Sequence, residues 1–187
     1  MAASRNGFIP SRQPTIDWIR NVYVSARQSE TVAKGDAVVR VAGIVSRASS
    51  GQDPTNSLGF GVVLAVYTTA NRPLTFQTVK YITSAGVGRA DVCFDPNQTY
   101  YVQCVTSVGP SNLGFNLIID QSAANSLTGL SGQSVDIPAS ASTNDYFKLL
   151  NIGPFDELSG KDTGGGPNNG VEVRWNNHFL SSPIKGQ

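Results

Sequence analysis

Short apolar stretches separated by Gly, Pro, Asn and Asp run the length of the chain, and none keeps a helical period. Residues 19–25 partly alternate between apolar and polar. Residues 36–46 alternate better, with Val39, Val41 and Gly43 facing one way and Arg40 the other. Residues 60–67 are continuously apolar, which predicts a central strand covered on both faces. Further strands are predicted over 76–83, 89–94, 100–108, 113–120, 134–137, 146–152 and 171–180. Asp95-Pro96-Asn97-Gln98 and Gly109-Pro110-Ser111-Asn112 have turn chemistry, because Pro presets φ and Asp or Asn bonds its own backbone. The 19 Val outnumber the 11 Leu, and β-branched side chains suit a pleated sheet better than a helix. The pattern predicts an all-β fold, an antiparallel β-sandwich or barrel of jelly-roll-like form, as a single domain over 16–187 with no visible internal repeat.

Residues 1–15 differ. Asn6-Gly7, Pro10 and Pro14 break strand pairing, yet Phe8 and Ile9 are apolar. This predicts an extended N-terminal arm, which either folds back on its own barrel or docks on a neighbour. Residues 159–170 are rich in Gly and predict a flexible loop before the last strand.

Composition adds a second clue. In this chain of 187 residues only 14% are charged, where about 25% is usual. Five Lys and three Glu leave Ser, Thr, Asn, Gln and Gly to face water. That fits either a polar uncharged outer surface or one covered by neighbouring subunits, and the second is favoured because interfaces are poor in Lys and Glu. A net charge of +1 gives no electrostatic footprint for nucleic acid or anionic lipid. The apolar run at 60–67 is too short to cross a bilayer as a helix, and residues 1–7 have no apolar signal core, so neither membrane nor secretion is expected.

The inventory of reactive groups is thin. One histidine, His178, and two cysteines, Cys93 and Cys104, fall short of a structural zinc set. His178 lies in a polar-aromatic strand end and is expected to be a hydrogen-bonded structural residue. Gly164-Gly165-Gly166 lacks the Gly-Lys-[Ser/Thr] of a phosphate loop, and no Gly-x-Ser-x-Gly elbow is present. Asp156 and Glu157 are adjacent and read as solvated charges. Cys93 and Cys104 flank the Asp95-Pro96 turn, across a possible hairpin, and are expected to be two buried thiols. No catalytic residue, cofactor or metal is expected, and the chain reads as a binding protein, not an enzyme.

The order of short motifs resembles the capsid decoration, or cement, proteins and related minor head proteins of tailed bacteriophages. An arm motif Gly7-Phe8-Ile9-Pro10 precedes Gly35-Asp36-Ala37-Val38 and a Gly61-Val62 strand ending at Tyr67. Then come Ala90-Asp91-Val92-Cys93-Phe94-Asp95-Pro96, Tyr101-Val102-Gln103, Gly114-Phe115-Asn116 and Thr128-Gly129-Leu130-Ser131. Asn169-Gly170 and Val171-Glu172-Val173-Arg174-Trp175-Asn176-Asn177-His178 close the series, which spans nearly the whole chain. The arm departs from the Gly-Leu-Arg-Pro form of many relatives, and Gly164 to Gly166 lengthen the last loop.

The resemblance implies a virion protein made in the host cytoplasm. It would bind the outer surface of an expanded shell of major capsid protein and stabilise that shell, with self-association as a homo-dimer or homo-trimer. Capsid contacts are then expected from Arg5, Phe8, Ile9 and Arg12 of the arm and from Asn168 and Asn169 of the Gly-rich loop. Deleting residues 1–13 is expected to abolish attachment and leave thermal unfolding nearly unchanged. The alternatives are a head-fibre or tail-associated β protein, or a carbohydrate-binding β module using exposed Trp and Tyr with Asn or Asp. For such a module the two Trp, Trp18 and Trp175, are few and far apart.

Overall fold

The computed structural model describes residues 7–25, 31–41, 44–48, 58–68, 78–79, 81–82, 87–120, 130–139, 145–152, 169–176, 178 and 180. Its strands are β1 (Ile9–Pro10), β2 (Ile19–Ser25), β3 (Val32–Ala33), β4 (Ala37–Val41), β5 (Ile44–Arg47), β6 (Leu58–Thr68) and β7 (Thr78–Val79). There follow β8 (Tyr81–Ile82), β9 (Val87–Cys93), β10 (Thr99–Cys104), β11 (Asn116–Asp120), β12 (Ser134–Asp136), β13 (Phe147–Ile152) and β14 (Asn169–Trp175). Only two short 3-10 turns, Ile16–Trp18 and Pro110–Asn112, interrupt them among the described residues. The protein is all-β, as its alternation and its valines dictate.

The strands close into two rings. In the first the order is β2-β5-β4-β6-β9 and back to β2; in the second it is β10-β12-β11-β13-β14 and back to β10. The topology of the two is the same, first strand beside third, then second, fourth and fifth. So is the register. The single parallel contact is Val24↔Val45 in one and Cys104↔Val135 in the other. The fourth strand bulges against the fifth at the same place, between Val63 and Ala65 and between Leu149 and Asn151, so Leu64 matches Leu150.

Superposing these registers pairs Val24 with Cys104, Val38 with Leu117, Val45 with Val135, Val63 with Leu149, Ala90 with Val171 and Val92 with Val173. Each member of these pairs is buried inside its own barrel. The chain therefore does contain an internal repeat, one of backbone register and core position, and the expected single barrel over 16–187 is two packed barrels.

Several local expectations change with it. Residues 36–46 are not one strand but a hairpin, with Val41 opposite Ile44. The Asp95 turn forms, with Asn97 N–H donating to Asp95 Oδ1 at 2.8 Å, yet it carries the chain from one barrel to the next. Cys93 and Cys104 are consequently in different sheets and not opposed across a hairpin; both are free and buried. Cys104 points into the second barrel with Tyr100 and Val102, whereas Cys93 shares the outer face of β9 with Asp91 and is buried against Tyr100 of the second barrel.

The continuous apolar run in β6, predicted to be covered on both faces, is so covered only from Phe60 to Val63; beyond it Ala65 and Tyr67 are half-buried on the outer face. Val63 and Val66 face the first barrel's interior, whereas Val62 joins Ala37 and Val39 in the core shared with the second barrel. The arm completes that shared core. Phe8 is 1% exposed, stacked on Phe147 at 4.6 Å and edge-on to Tyr100 at 6.3 Å, while Phe147 stacks on Trp175 at 4.2 Å. Ile9 and Pro10 pair with Tyr101 and Tyr100 and extend the β10 edge. The arm, from Gly7 to Arg12, thus belongs to its own protein's core and sheet. Phe8 is enclosed and presents nothing to a partner, which overturns the expectation that the arm is dispensable for stability. The Gly-rich stretch 159–168 lies outside the described residues, and Asn169-Gly170 opens β14 instead of ending a loop.

Candidate functional site

Three clusters carry the polar and reactive groups. The first is a buried junction where the arm and both barrels meet. Gly7 and Gly35 have φ of +68° and +87°, the left-handed region that glycine enters without strain. A Cβ on Gly7 would overlap Ser131 Cβ and the Gly35 carbonyl. Phe8 N–H donates to that same Gly35 carbonyl at 2.8 Å, and Ser131 N–H donates to the Lys34 carbonyl at 2.8 Å.

Beside them Asp36 is fully buried. It accepts from Ala33 N–H at 2.8 Å and from the Ser131 hydroxyl, and pairs with Arg47 Nε at 3.1 Å. Burial pushes its carboxyl up from the ordinary range, while Arg47 and the hydrogen bonds pull it back. Gln133, also buried, accepts from Ala37 N–H at 2.6 Å and donates to the Ala48 carbonyl at 2.8 Å. Every one of these groups points at another protein group, which makes a mechanical joint and not an open site.

The second cluster holds His178. Leu180 N–H donates to Nδ1 at 3.2 Å, so Nε2 carries the proton and donates to the Phe60 carbonyl at 3.0 Å. Burial pushes its pKa down to about 4, against smaller opposing effects of Phe60 and Asp95. Both nitrogens are held by backbone of a distant strand and of the following residues. This is the geometry of a structural histidine. The thiols are equally quiet: burial raises Cys93, and burial first, then the Asp136 charge, raises Cys104 to about 11. Among the described residues no group of three His, Cys, Asp or Glu is placed to hold a metal ion, and no helix is long and apolar enough to cross a membrane.

The third cluster is the outer face of β2, β9 and β6. Register sets two rows across it, Asn21–Asp91–Ala65 and Tyr23–Arg89–Tyr67. Asp91 accepts from Asn21 Nδ2 at 2.7 Å and from the Tyr67 hydroxyl at 2.6 Å. That hydrogen bond, with burial and the carboxylate charge, raises Tyr67 to about 12. The Arg89 guanidinium lies 4.5 Å from the centroid of the Tyr23 ring, and Tyr23 is 61% exposed. Tyr and Arg dominate energetic centres of protein interfaces, and an exposed ring beside an amide and a carboxylate also suits a sugar. Alternation alone places Asn21 and Tyr23 outward, but nothing in the sequence paired them with Arg89 and Asp91 some 70 residues on.

Of the residues expected to contact a capsid, Phe8 is in the core and Ile9 is half-buried beside Tyr101. Arg12 is exposed and its carbonyl accepts from Gln98 Nε2 at 3.1 Å. Asn169 is half-buried opposite Cys104. Arg5 and Asn168 lie outside the described residues, as do Asp156, Glu157 and Gly164 to Gly166. The four of them that are described do not form one exposed surface. Neither a protein-family model nor a curated protein sequence matches the chain.

Proposed function

We propose that the protein is a virion structural protein, a capsid decoration protein that binds the outer surface of the major capsid shell and stabilises the expanded head. The observation that carries the reading is where the motifs of the resemblance fall. Gly7, Gly35-Asp36 and Ser131 meet at one buried junction, Asp95-Pro96 joins the barrels, and His178 ties the last segment to Phe60. A chain with the same motif order has the means to build the same two-barrel scaffold. On that scaffold the shell would be met by the exposed Arg12, by Arg5, and by the Tyr23–Arg89–Tyr67 face. Repeated modest contacts add up by avidity on a lattice, and binding only the expanded form stabilises it by linkage.

Sedimenting particles from a producing culture, with mass spectrometry of each fraction, tests the reading. The chain is expected to travel with full heads at a fixed, high ratio to the major capsid protein. A chain found only in the soluble fraction removes the virion role. The second reading, a carbohydrate-binding module, is favoured by the exposed Tyr23 ring beside Asn21 and Asp91. Calorimetric titration with soluble glycans separates it, since a decoration protein without glycan affinity gives no heat there.

A further inference from the structure

A repeated unit that packs against itself leaves two contact surfaces unused, one at each end of the repeat. Inside this chain the aromatic end of the second barrel, with Tyr100 and Trp175, shares a buried core with Ala37, Val39 and Val62 on the outer face of β4 and β6. The common register carries both halves of that contact onto the other barrel. Ala37, Val39 and Val62 correspond to Asn116, Ile118 and Lys148, on the outer face of β11 and β13. Tyr100 and Trp175 correspond to Arg20 and Phe94 at the end of the first barrel, where Trp18 packs on Phe94 at 5.2 Å.

These two leftover places carry most of the large exposed apolar side chains among the described residues. Gly114 N–H donates to the Leu149 carbonyl and Leu149 N–H to the Phe115 carbonyl, each at 2.9 Å, which sets residues 113–115 against the middle of β13. Leu113, Phe115 and Leu150 there are 47%, 44% and 37% exposed. Next to Trp18, Ile16 is 82% exposed. Among the described residues, four of the six large exposed hydrophobic residues thus lie on the two surfaces that the internal contact would predict to be sticky.

We propose that a second copy of this chain docks here head to tail: the first-barrel end of one copy, with Ile16, Trp18 and Phe94, seats on the β11–β13 face of the next, with Leu113, Phe115, Ile118 and Leu150. The contact repeats between chains the packing already present within each one. It uses different patches on the two partners, so it closes into a ring where the rotation permits. It stands independently of the capsid reading, although a ring would present several copies of the Tyr23 face together.

Paired charge substitutions test the direction of the contact. Ile16→Glu spoils the end, and Leu113→Glu spoils the face; both sites are exposed, so folding should be little affected. By light scattering after size exclusion, the wild type is expected as an assembly of two or more chains and each variant alone as a monomer. An equimolar mixture of the two variants is expected to form a two-chain species, because each pair keeps one intact end and one intact face. A monomeric wild type, a variant that assembles unchanged, or a mixture that stays monomeric overturns the proposal. Circular dichroism checks the fold, and Phe115→Glu and Ile16→Lys serve as the second pair should either first variant misfold.

Discussion

His178 shows how a single residue is committed by its surroundings. With Nδ1 accepting from Leu180 and Nε2 donating to Phe60, only the neutral ring fits, and its pKa falls to about 4. In the unfolded chain a histidine titrates near 6.5. Protons therefore bind the unfolded state first, so stability is full above about pH 6.5 and declines to about pH 4. The loss is about 3 kcal/mol by linkage. Urea unfolding of the wild type and of His178→Gln at about pH 7 and about pH 4 isolates this contribution from the carboxylates. The wild type should lose about 3 kcal/mol more than the variant on acidification; equal losses would show that the ring is not held neutral. The structural role was legible, because no acid or nucleophile stood at a recognisable spacing. The partner was not, since Phe60 is 118 residues away. The same holds for Asp36, whose motif is visible in the sequence but whose Ser131 partner is 95 residues distant.

At the scale of elements, the arm shows how apolar residues outside any periodic pattern escape assignment. Two residues, Phe8 and Ile9, are too few to reveal a period, and the prolines around them argue against a strand. The fold nonetheless has a place for them, because β12 meets β10 at Cys104 alone and leaves the Tyr100–Tyr101 edge for the arm. Phe8→Ala should therefore cost about 3–5 kcal/mol, the range for removing a fully buried aromatic ring. Equilibrium denaturation measures it, and a change below about 1 kcal/mol would show that the Phe8–Phe147–Trp175 stack is not part of the core. The partly alternating β2 and the long apolar run of β6 were legible nearly to the residue. The β4–β5 hairpin was not: Val39, Val41 and Gly43 keep a period of two straight through its tip. Alternation cannot show where a strand turns back unless the turn residues break it.

The whole molecule is a duplicated barrel whose duplication hides in its side chains. Val38 answers to Leu117, Val24 to Cys104 and Ala90 to Val171, so the repeat preserves inward position and exchanges volume. Such swaps are tolerated when a core's total volume and pattern are kept, which is why register reveals what residue identity does not. The two barrels do not stand apart, however. Asp36 and Arg47 form an ion pair in the first barrel that is completed by Ser131 of the second, and Gln133 bonds across to Ala37 and Ala48. Separating the barrels leaves the ion pair intact but removes the Ser131 and Gln133 hydrogen bonds from buried groups, at about 1–3 kcal/mol for each group left unsatisfied, so the separation carries a large penalty. Nature has supplied one reporter for each, Trp18 in front of the first barrel and Trp175 in the second. With Trp18→Phe and Trp175→Phe as single-tryptophan variants, fluorescence in urea follows one barrel at a time. Once each midpoint is corrected for its variant's own stability by circular dichroism, the two transitions should coincide. Two separated transitions would mean that the shared aromatic core and the junction do not couple the barrels, and that each half is a folding unit of its own.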